Sequence, residues 1–207
     1  MKLNPLVNAI NSTVIVGGAL LLGSVLLPAQ AAPMRLATLT GADYDYVMNT
    51  RPQTADDFYN QGLVLQGEGH FEAAIEKFTT ALEKEPGHAD YYFSRGLAYA
   101  DWGNLQLAIQ DYTYALQLDD QFAAAYYNRG LAQFALHNQT EAIADYTAAL
   151  EVDPDFVAAY YSRGLAYYDL GQNQLARQDY ARARNLNPQM AEAYYDQGFV
   201  RPFVGGK

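Results

Sequence analysis

The sequence has no cysteine among its 207 residues, so it can form no disulfide and offers no thiol for catalysis or lipid attachment. Positive charge is also scarce, because 13 lysines and arginines stand against 23 acidic residues and leave a formal charge of −10. This balance excludes general binding to nucleic acid or anionic membranes, and it favours a basic or neutral partner. Apolar residues are plentiful, since half of the chain is hydrophobic and 18 residues are tyrosine, which predicts a substantial core.

The N-terminal segment has the three parts of a secretory signal peptide. Lys2 gives a positive start, residues 14–27 are almost entirely apolar, and Ala29 and Ala31 follow at the spacing of a small-residue cleavage site. We therefore expect residues 1–31 to be removed after export to the periplasm or a thylakoid lumen. The alternative is an uncleaved membrane anchor, although the run is shorter than the roughly 20 residues that a bilayer span needs.

Glycine recurs every 34 residues along most of the remaining chain, at Gly62, Gly96, Gly130, Gly164 and Gly198. Aromatic and alanine residues recur with the same period. We number each repeat from its first residue, which is Ala55, Ala89, Ala123 or Val157, so that the glycine is position 8. Core-type residues at positions 4, 8 and 11 and again at 20, 24 and 27 have helical spacing, which predicts two helices in each repeat.

This pattern resembles the tetratricopeptide repeat family, whose motif spaces an aromatic residue, glycine, alanine, a second aromatic residue, alanine and proline in this way. The resemblance implies an all-α fold, a solenoid of antiparallel helix pairs that forms a right-handed superhelix with a concave groove. It also implies a non-enzymatic scaffold or adaptor that binds a protein or peptide in the groove. Exported bacterial relatives act in the assembly of membrane complexes or in envelope protein turnover.

The repeats divide the chain into segments. Residues 32–54 contain Pro33, Gly41 and Pro52 without a clear period, which predicts a linker. The repeat domain then extends over 55–200, and residues 201–207 form a tail. Its predicted units are four full repeats and the start of a fifth: 55–88, 89–122, 123–156, 157–190 and 191–200.

Arginine at position 7 and aspartate at position 23 occur in the same three repeats: Arg95 with Asp111, Arg129 with Asp145, and Arg163 with Asp179. The first repeat has Gln61 and Lys77 at these positions, so the two residue types appear and disappear together. An antiparallel helix pair places position 7 beside position 23, which predicts a structural charge pair. The alternative is an arginine ladder that binds an anion.

Position 5 of the first helix is aromatic in every repeat, and the resemblance places positions 2, 5, 9 and 12 on the concave surface. Position 6 offers polar side chains beside these rings. We therefore predict a protein-binding stripe of Tyr59, Asn60, Phe93, Tyr127, Asn128, Tyr161 and Tyr195. The alternative is that these residues pack against the next repeat, which is the favoured interpretation for the leucines at position 9. A branch of the family that clamps a C-terminal carboxylate has lysine at position 5 and asparagine at position 9. The present sequence lacks that pair.

No arrangement of residues in the sequence indicates catalysis. His70, His88 and His137 lie in different repeats without a second ligand at metal-binding spacing, and no serine stands beside a histidine and an acid as a nucleophile would. We therefore expect no enzymatic activity, no metal, no cofactor and no small-molecule substrate.

The C-terminus suggests a second class of function. The fifth repeat stops after Arg201 and Pro202 without its second helix, which leaves the apolar residues Tyr194 and Phe199 without a partner helix. Solenoids normally end in a polar cap. The alternative function is therefore a structural module that forms homo-oligomers through this end.

Overall fold

The structure, a computed structural model, describes residues 53–189, and the secondary structure of this range is helix and turn, without a strand. The helices are α1 (Ala55–Gly67), α2 (Phe71–Lys84), α3 (Ala89–Asp101), α4 (Leu105–Leu118), α5 (Ala123–Ala135), α6 (Gln139–Val152), α7 (Val157–Asp169) and α8 (Asn173–Leu186). Odd-numbered helices are the first helices of the repeats and even-numbered helices are the second. Prolines stop some second helices, since α2 ends shortly before Pro86 and α6 shortly before Pro154.

The helices stack in chain order. Each first helix packs along the second helix of its own repeat, and each second helix also packs against the first helix of the next repeat. Consecutive first helices contact one another as well, whereas consecutive second helices do so less. The resemblance to the tetratricopeptide repeat family implies that the first helices form the inner, concave side, and their closer contact agrees with this. The predicted all-α solenoid of helix pairs is confirmed.

The core of each repeat consists of one aromatic ring of the second helix lying on the position-8 glycine of the first helix. The rings belong to Phe78, Tyr112, Tyr146 and Tyr180, each at most 4% exposed. Small residues next to them are also buried, since the alanines at positions 20 and 27 are 0% exposed in all four repeats. The glycine and alanine positions of the repeat are therefore the places where two helices approach closely.

The turn between the two helices of a repeat needs one residue in the left-handed backbone region. This residue is Gly69, Gly103 or Gly171 in three repeats, but in the third it is His137, with a φ of 64°. In that turn the backbone N–H of His137 donates to the carbonyl of Phe134 at 3.0 Å, and that of Asn138 donates to the carbonyl of Gln133 at 2.9 Å. These two bonds form a Schellman motif, which normally has glycine at the left-handed position.

We expect His137→Gly to raise the free energy of unfolding by about 1 kcal/mol, because a side chain strains the left-handed conformation. Denaturant unfolding of both proteins measures the difference. The reciprocal variant Gly103→His should lose a similar amount at the matching turn. A destabilised His137→Gly variant would show that the histidine makes a contact that outweighs its strain.

Several predicted segments lie outside the described residues. They are the signal peptide, the linker up to residue 52, the fifth repeat with Tyr195, and the C-terminal tail. Within residues 53–189, no helix has the length and apolar character needed to cross a membrane.

Candidate protein-binding face

The inner face of the stack is formed by α1, α3, α5 and α7, and each of these helices contacts the next one. Three hydrogen bonds join α1 to α3: Tyr59 Oη with Ser94 Oγ at 3.1 Å, Gln66 Nε2 with Asp101 Oδ2 at 3.0 Å, and Tyr91 Oη with Asp56 Oδ1. One joins α5 to α7, between Tyr127 Oη and Ser162 Oγ at 3.3 Å. Each bond connects residues 35 apart, so a position on one first helix is bonded to the following position on the next.

The aromatic residues at position 5 lie deeper than the proposed binding stripe requires. Phe93 is 7% and Tyr161 2% exposed, whereas Tyr59 and Tyr127 are half-buried. Exposure of the rings to the groove is therefore wrong for Phe93 and Tyr161. These two rings are core residues, so we assign them to packing.

Aromatic rings lie on the position-5 residues, two of them on Phe93 and on the half-buried Tyr127, and Tyr180 on Tyr161 at 5.8 Å. The ring centroid of Phe93 lies 5.8 Å from that of Tyr112 and 4.7 Å from that of Phe122. Tyr127 lies in the same way between Tyr146 at 5.8 Å and Phe156 at 4.8 Å. The covering residue at position 34, immediately before the next repeat, closes the space between one repeat and its neighbour.

The two asparagines at position 6 also differ in their exposure. Asn128 is 5% exposed, and its Nδ2 donates to the carbonyl of Ala124 at 2.8 Å, so its amide is hydrogen-bonded within its own helix. Asn60 is exposed at the N-terminal end of the stack. Of the two asparagines, Asn60 alone is available to a partner.

The side chains that remain accessible on the inner face are at positions 2, 9 and 12. Leu63 at position 9 is 41% exposed, and the other leucines of that row are half-buried. Position 12 carries Phe134, which is half-buried, and Tyr168, which is 45% exposed. These two aromatic residues were not among the predicted binding residues. Their place on the stripe of positions 2, 5, 9 and 12 could have identified them.

The arginines at position 7 are bound by the aspartates of their own repeats. Arg95 donates through Nε and Nη2 to the two carboxylate oxygens of Asp111, both at 2.8 Å. Arg163 makes the same two-pronged contact with Asp179 at 2.7 and 2.8 Å, and Arg129 contacts Asp145 at 2.6 to 3.1 Å. The carboxylates are at most 9% exposed. The three predicted ion pairs are thus formed.

Each arginine also reaches back to the preceding repeat, which the sequence analysis missed. Nη1 of each donates to a threonine Oγ1 at 3.1 Å, and the pairs are Arg95 with Thr79, Arg129 with Thr113, and Arg163 with Thr147. The threonine stands at position 25 in each case. Position 25 of the fourth repeat is Ala181, and the next position 7 is Gln197, so this pair also appears and disappears together.

This double contact supports a structural role for the arginines. The hydrogen bond and charge of Asp179 raise the pKa of Arg163 despite its partial burial. Burial works against the charged form of Arg95, but the contacts with Asp111 outweigh it and its pKa is also raised. A guanidinium that already has a carboxylate on two of its nitrogens and a hydroxyl on the third is poorly placed to bind a further anion. The ladder interpretation is not favoured.

Two aspartates at position 13 of the inner helices lie in a different environment. Burial raises the pKa of Asp101, partly offset by its hydrogen bond from Gln66. Burial likewise raises the pKa of Asp169, partly offset by His137. Neither carboxylate forms an ion pair with another described residue. Within the same range no three histidine or acidic side chains come together as a metal site.

The geometry defines a class of protein, a helical-repeat solenoid with an accessible inner layer of leucine, aromatic and acidic residues. Family models described as tetratricopeptide repeat match residues 59–123 and 157–190, and one described as TPR repeat matches residues 134–171. The chain belongs to the tetratricopeptide repeat family.

Solved structures of other repeat proteins resemble the chain over most of its described length. MamA is 26% identical with a TM-score of 0.67, over 73% of this chain and 88% of that one. The first repeat domain of Spaghetti, bound to the HSP90 peptide SRMEEVD, is 26% identical with a TM-score of 0.56, over 58% and 96%. The repeat domain of Arabidopsis OM64 is 26% identical with a TM-score of 0.54, over 55% and 94%. No curated protein matches the chain. The family and the peptide-bound neighbour support a protein-interaction scaffold.

Proposed function

We propose that this protein is a non-enzymatic adaptor that binds a segment of another protein on the inner face of its repeat stack. The observation that carries the proposal is the accessible row at positions 9 and 12, where Leu63 and Tyr168 are 41% and 45% exposed on a layer that is otherwise closely packed. Ligand sites are usually concave and lined by apolar side chains, whereas single exposed apolar residues on other faces, such as Tyr114, are common in any protein. The peptide held by the Spaghetti domain shows that a related stack can bind a short segment.

The proposed place of action is an exported compartment, the periplasm or a thylakoid lumen, where the adaptor would serve complex assembly or protein turnover. Support comes from the signal-like segment in residues 1–31, and the mature chain is expected to begin at Ala32. The absence of cysteine is compatible with that setting, because the folded repeats are held together by packing and ion pairs.

Quantitative capture with two matched double variants tests the proposal. Leu63→Ser with Tyr168→Ser changes the inner face, and Tyr114→Ser with Leu118→Ser changes a second helix, where the two side chains are 51% and 48% exposed. The tagged proteins are expressed in the native cell, and proteins bound to each are quantified by mass spectrometry. The inner-face variant should lose a partner that the second-helix variant retains. Equal retention by both would reject the inner face as the binding site.

Self-association through the incomplete fifth repeat stays an alternative prediction, because Tyr194 and Phe199 lie outside the described residues. The last described helix, α8, differs from the earlier second helices. In the first three repeats, positions 21 and 28 are isoleucine and leucine, as in Ile143 and Leu150, and both pack against the next repeat. In α8 the same positions are Arg177 and Arg184, both exposed.

A further inference from the structure

The inner face differs between its N-terminal and C-terminal halves although the scaffold positions are the same. Position 2 is an exposed aspartate in the first two repeats, Asp56 and Asp90, and an alanine in the next two, Ala124 and Ala158. Replacement of a carboxylate by a methyl group removes charge and opens space at that end of the groove. Position 2 is therefore acidic at one end of the face and uncharged at the other, while Leu63 is exposed at the first end and Asp169 at the second.

Position 12 changes in the complementary direction. It is Gln66 and Ala100 in the first two repeats, but Phe134 and Tyr168 in the last two. The two aromatic residues stand one helical turn beyond the leucines Leu131 and Leu165, which are half-buried in the same helices. Leucine and aromatic side chains thus occupy positions 9 and 12 of both α5 and α7, and Leu131 and Phe134 pack on a core cluster that includes Ala166 of α7.

The three carboxylates of the acidic end are not paired with a cation of the described residues. The cations on the four first helices are Arg95, Arg129 and Arg163, and each is bound by an aspartate of a second helix. Lys77 and Lys84 belong to the second helix α2, where they lie over the ring of Phe58. Asp56, Asp90 and Asp101 form no ion pair with a described residue.

Asp101 adds a third carboxylate to this end, and its Oδ2 accepts a hydrogen bond from Gln66 Nε2 at 3.0 Å. Burial raises the pKa of its carboxyl group, as it does for Asp169 in the fourth repeat. A cation placed beside such a carboxyl group would favour its charged form.

We propose that the segment bound on the inner face carries lysine or arginine against Asp56, Asp90 and Asp101, and apolar side chains against Leu131, Phe134, Leu165 and Tyr168. The inference rests on the proposed function of this face and adds the chemistry and polarity of the partner. Opposite charges at one end orient the segment, and the apolar contacts at the other supply most of the affinity. An acidic peptide such as SRMEEVD, which the Spaghetti domain binds, would be repelled here.

Selection from a random 12-residue peptide library tests the partner chemistry. The full chain is immobilised at low salt and the library is selected against it. The retained peptides are then selected against the Tyr114→Ser and Leu118→Ser variant, which discards peptides that bind the second-helix face. Peptides retained by both proteins should be enriched in lysine or arginine together with leucine or aromatic residues. Enrichment of acidic peptides, or of apolar peptides without basic residues, would overturn the proposal.

Charge-neutralising variants then locate the contact. The strongest selected peptide is titrated against wild type, Asp90→Asn with Asp101→Asn, and the control Glu83→Gln with Glu151→Gln, two exposed acids of second helices. The inner pair should weaken binding at least tenfold, and the control less than twofold. An equal loss of affinity in both variants would show that only the overall charge of the protein matters, and it would reject the proposal.

Two further outcomes separate this inference from the proposed function. Asp101→Asn should leave the melting temperature at neutral pH unchanged or higher, since an asparagine oxygen can still accept the Gln66 hydrogen bond. A lower melting temperature would make Asp101 a structural residue and remove it from the site. Failure to select any peptide while the inner-face variant still loses its cellular partner would reject the peptide chemistry alone; failure of both experiments would reject the face.

Discussion

Replacing Arg129 or Asp145 by alanine is expected to lower the free energy of unfolding by about 2 to 4 kcal/mol in each case. The reason is that each substitution leaves a mostly buried charge without its partner. The side chain of Asp145 is 9% exposed and that of Arg129 is 21% exposed. Arg129→Ala also removes the donor to Thr113, so it should be the more damaging change.

The double variant should lose about 1 to 3 kcal/mol less than the sum of the two single losses, because the second substitution removes a charge that the first had stranded. Urea unfolding of the four proteins measures this coupling. Arg182 and Asp155 provide a matched control, because they lie 3.9 Å apart but are 52% and 79% exposed. Their coupling should stay below about 0.5 kcal/mol. Additive losses at Arg129 and Asp145 would contradict the structural role of the pair.

Gly130→Ala is expected to lower the free energy of unfolding by about 2 kcal/mol, although alanine is the better helix former by roughly 1 kcal/mol. A Cβ at this position would lie 2.7 Å from Cε1 and 2.9 Å from Cδ1 of Tyr146, and 3.2 Å from Cβ of Asp145. Tyr146 is 0% exposed and cannot move away without disturbing the neighbouring helix. Steric overlap should therefore outweigh the gain in helix propensity.

Gly67→Ala is the control for this prediction, because it lies at the end of α1 and a Cβ there would have no neighbour within 4 Å. It should be neutral or stabilising by up to about 1 kcal/mol. Thermal and denaturant unfolding of both variants, read by the single tryptophan, Trp102, compare the two sites. Similar stability of the two variants would show that the position-8 glycine is not required for close packing.

The fold was predictable because its information is local and is repeated. A glycine every 34 residues, with helical spacing on both sides, indicated the helix pairs, and the tetratricopeptide repeat family is shown by the comparisons. The Arg129 and Asp145 contact was also predictable, since both residues belong to one antiparallel pair whose geometry follows from the turn length. Such contacts depend on one repeat alone.

Contacts between repeats were less predictable, because they depend on how far each repeat rotates against the next. That rotation places Thr113 within reach of Arg129. Phe93 is core for a reason within its own repeat, because Phe122 at position 34 lies 4.7 Å from its ring, and the repeat period does not show which residue covers position 5. Phe134 and Tyr168 lie on the stripe that the family resemblance places on the concave surface, but how far each is exposed depends on how the repeats pack. The repeat period gives no value for this rotation, so the accessible residues of the inner face became evident only in the structure.

Site-specific photocrosslinking from the two faces is the most direct test of binding on the inner layer. A photoreactive phenylalanine analogue is placed at Tyr168 or at Tyr114, which are similarly accessible at 45% and 51% but belong to a first and a second helix, respectively. Irradiation in the native cell, followed by mass spectrometry, identifies the crosslinked segment. The account predicts an adduct from position 168, on a segment that carries apolar and basic residues, and no corresponding adduct from position 114. An adduct from position 114 alone would contradict it.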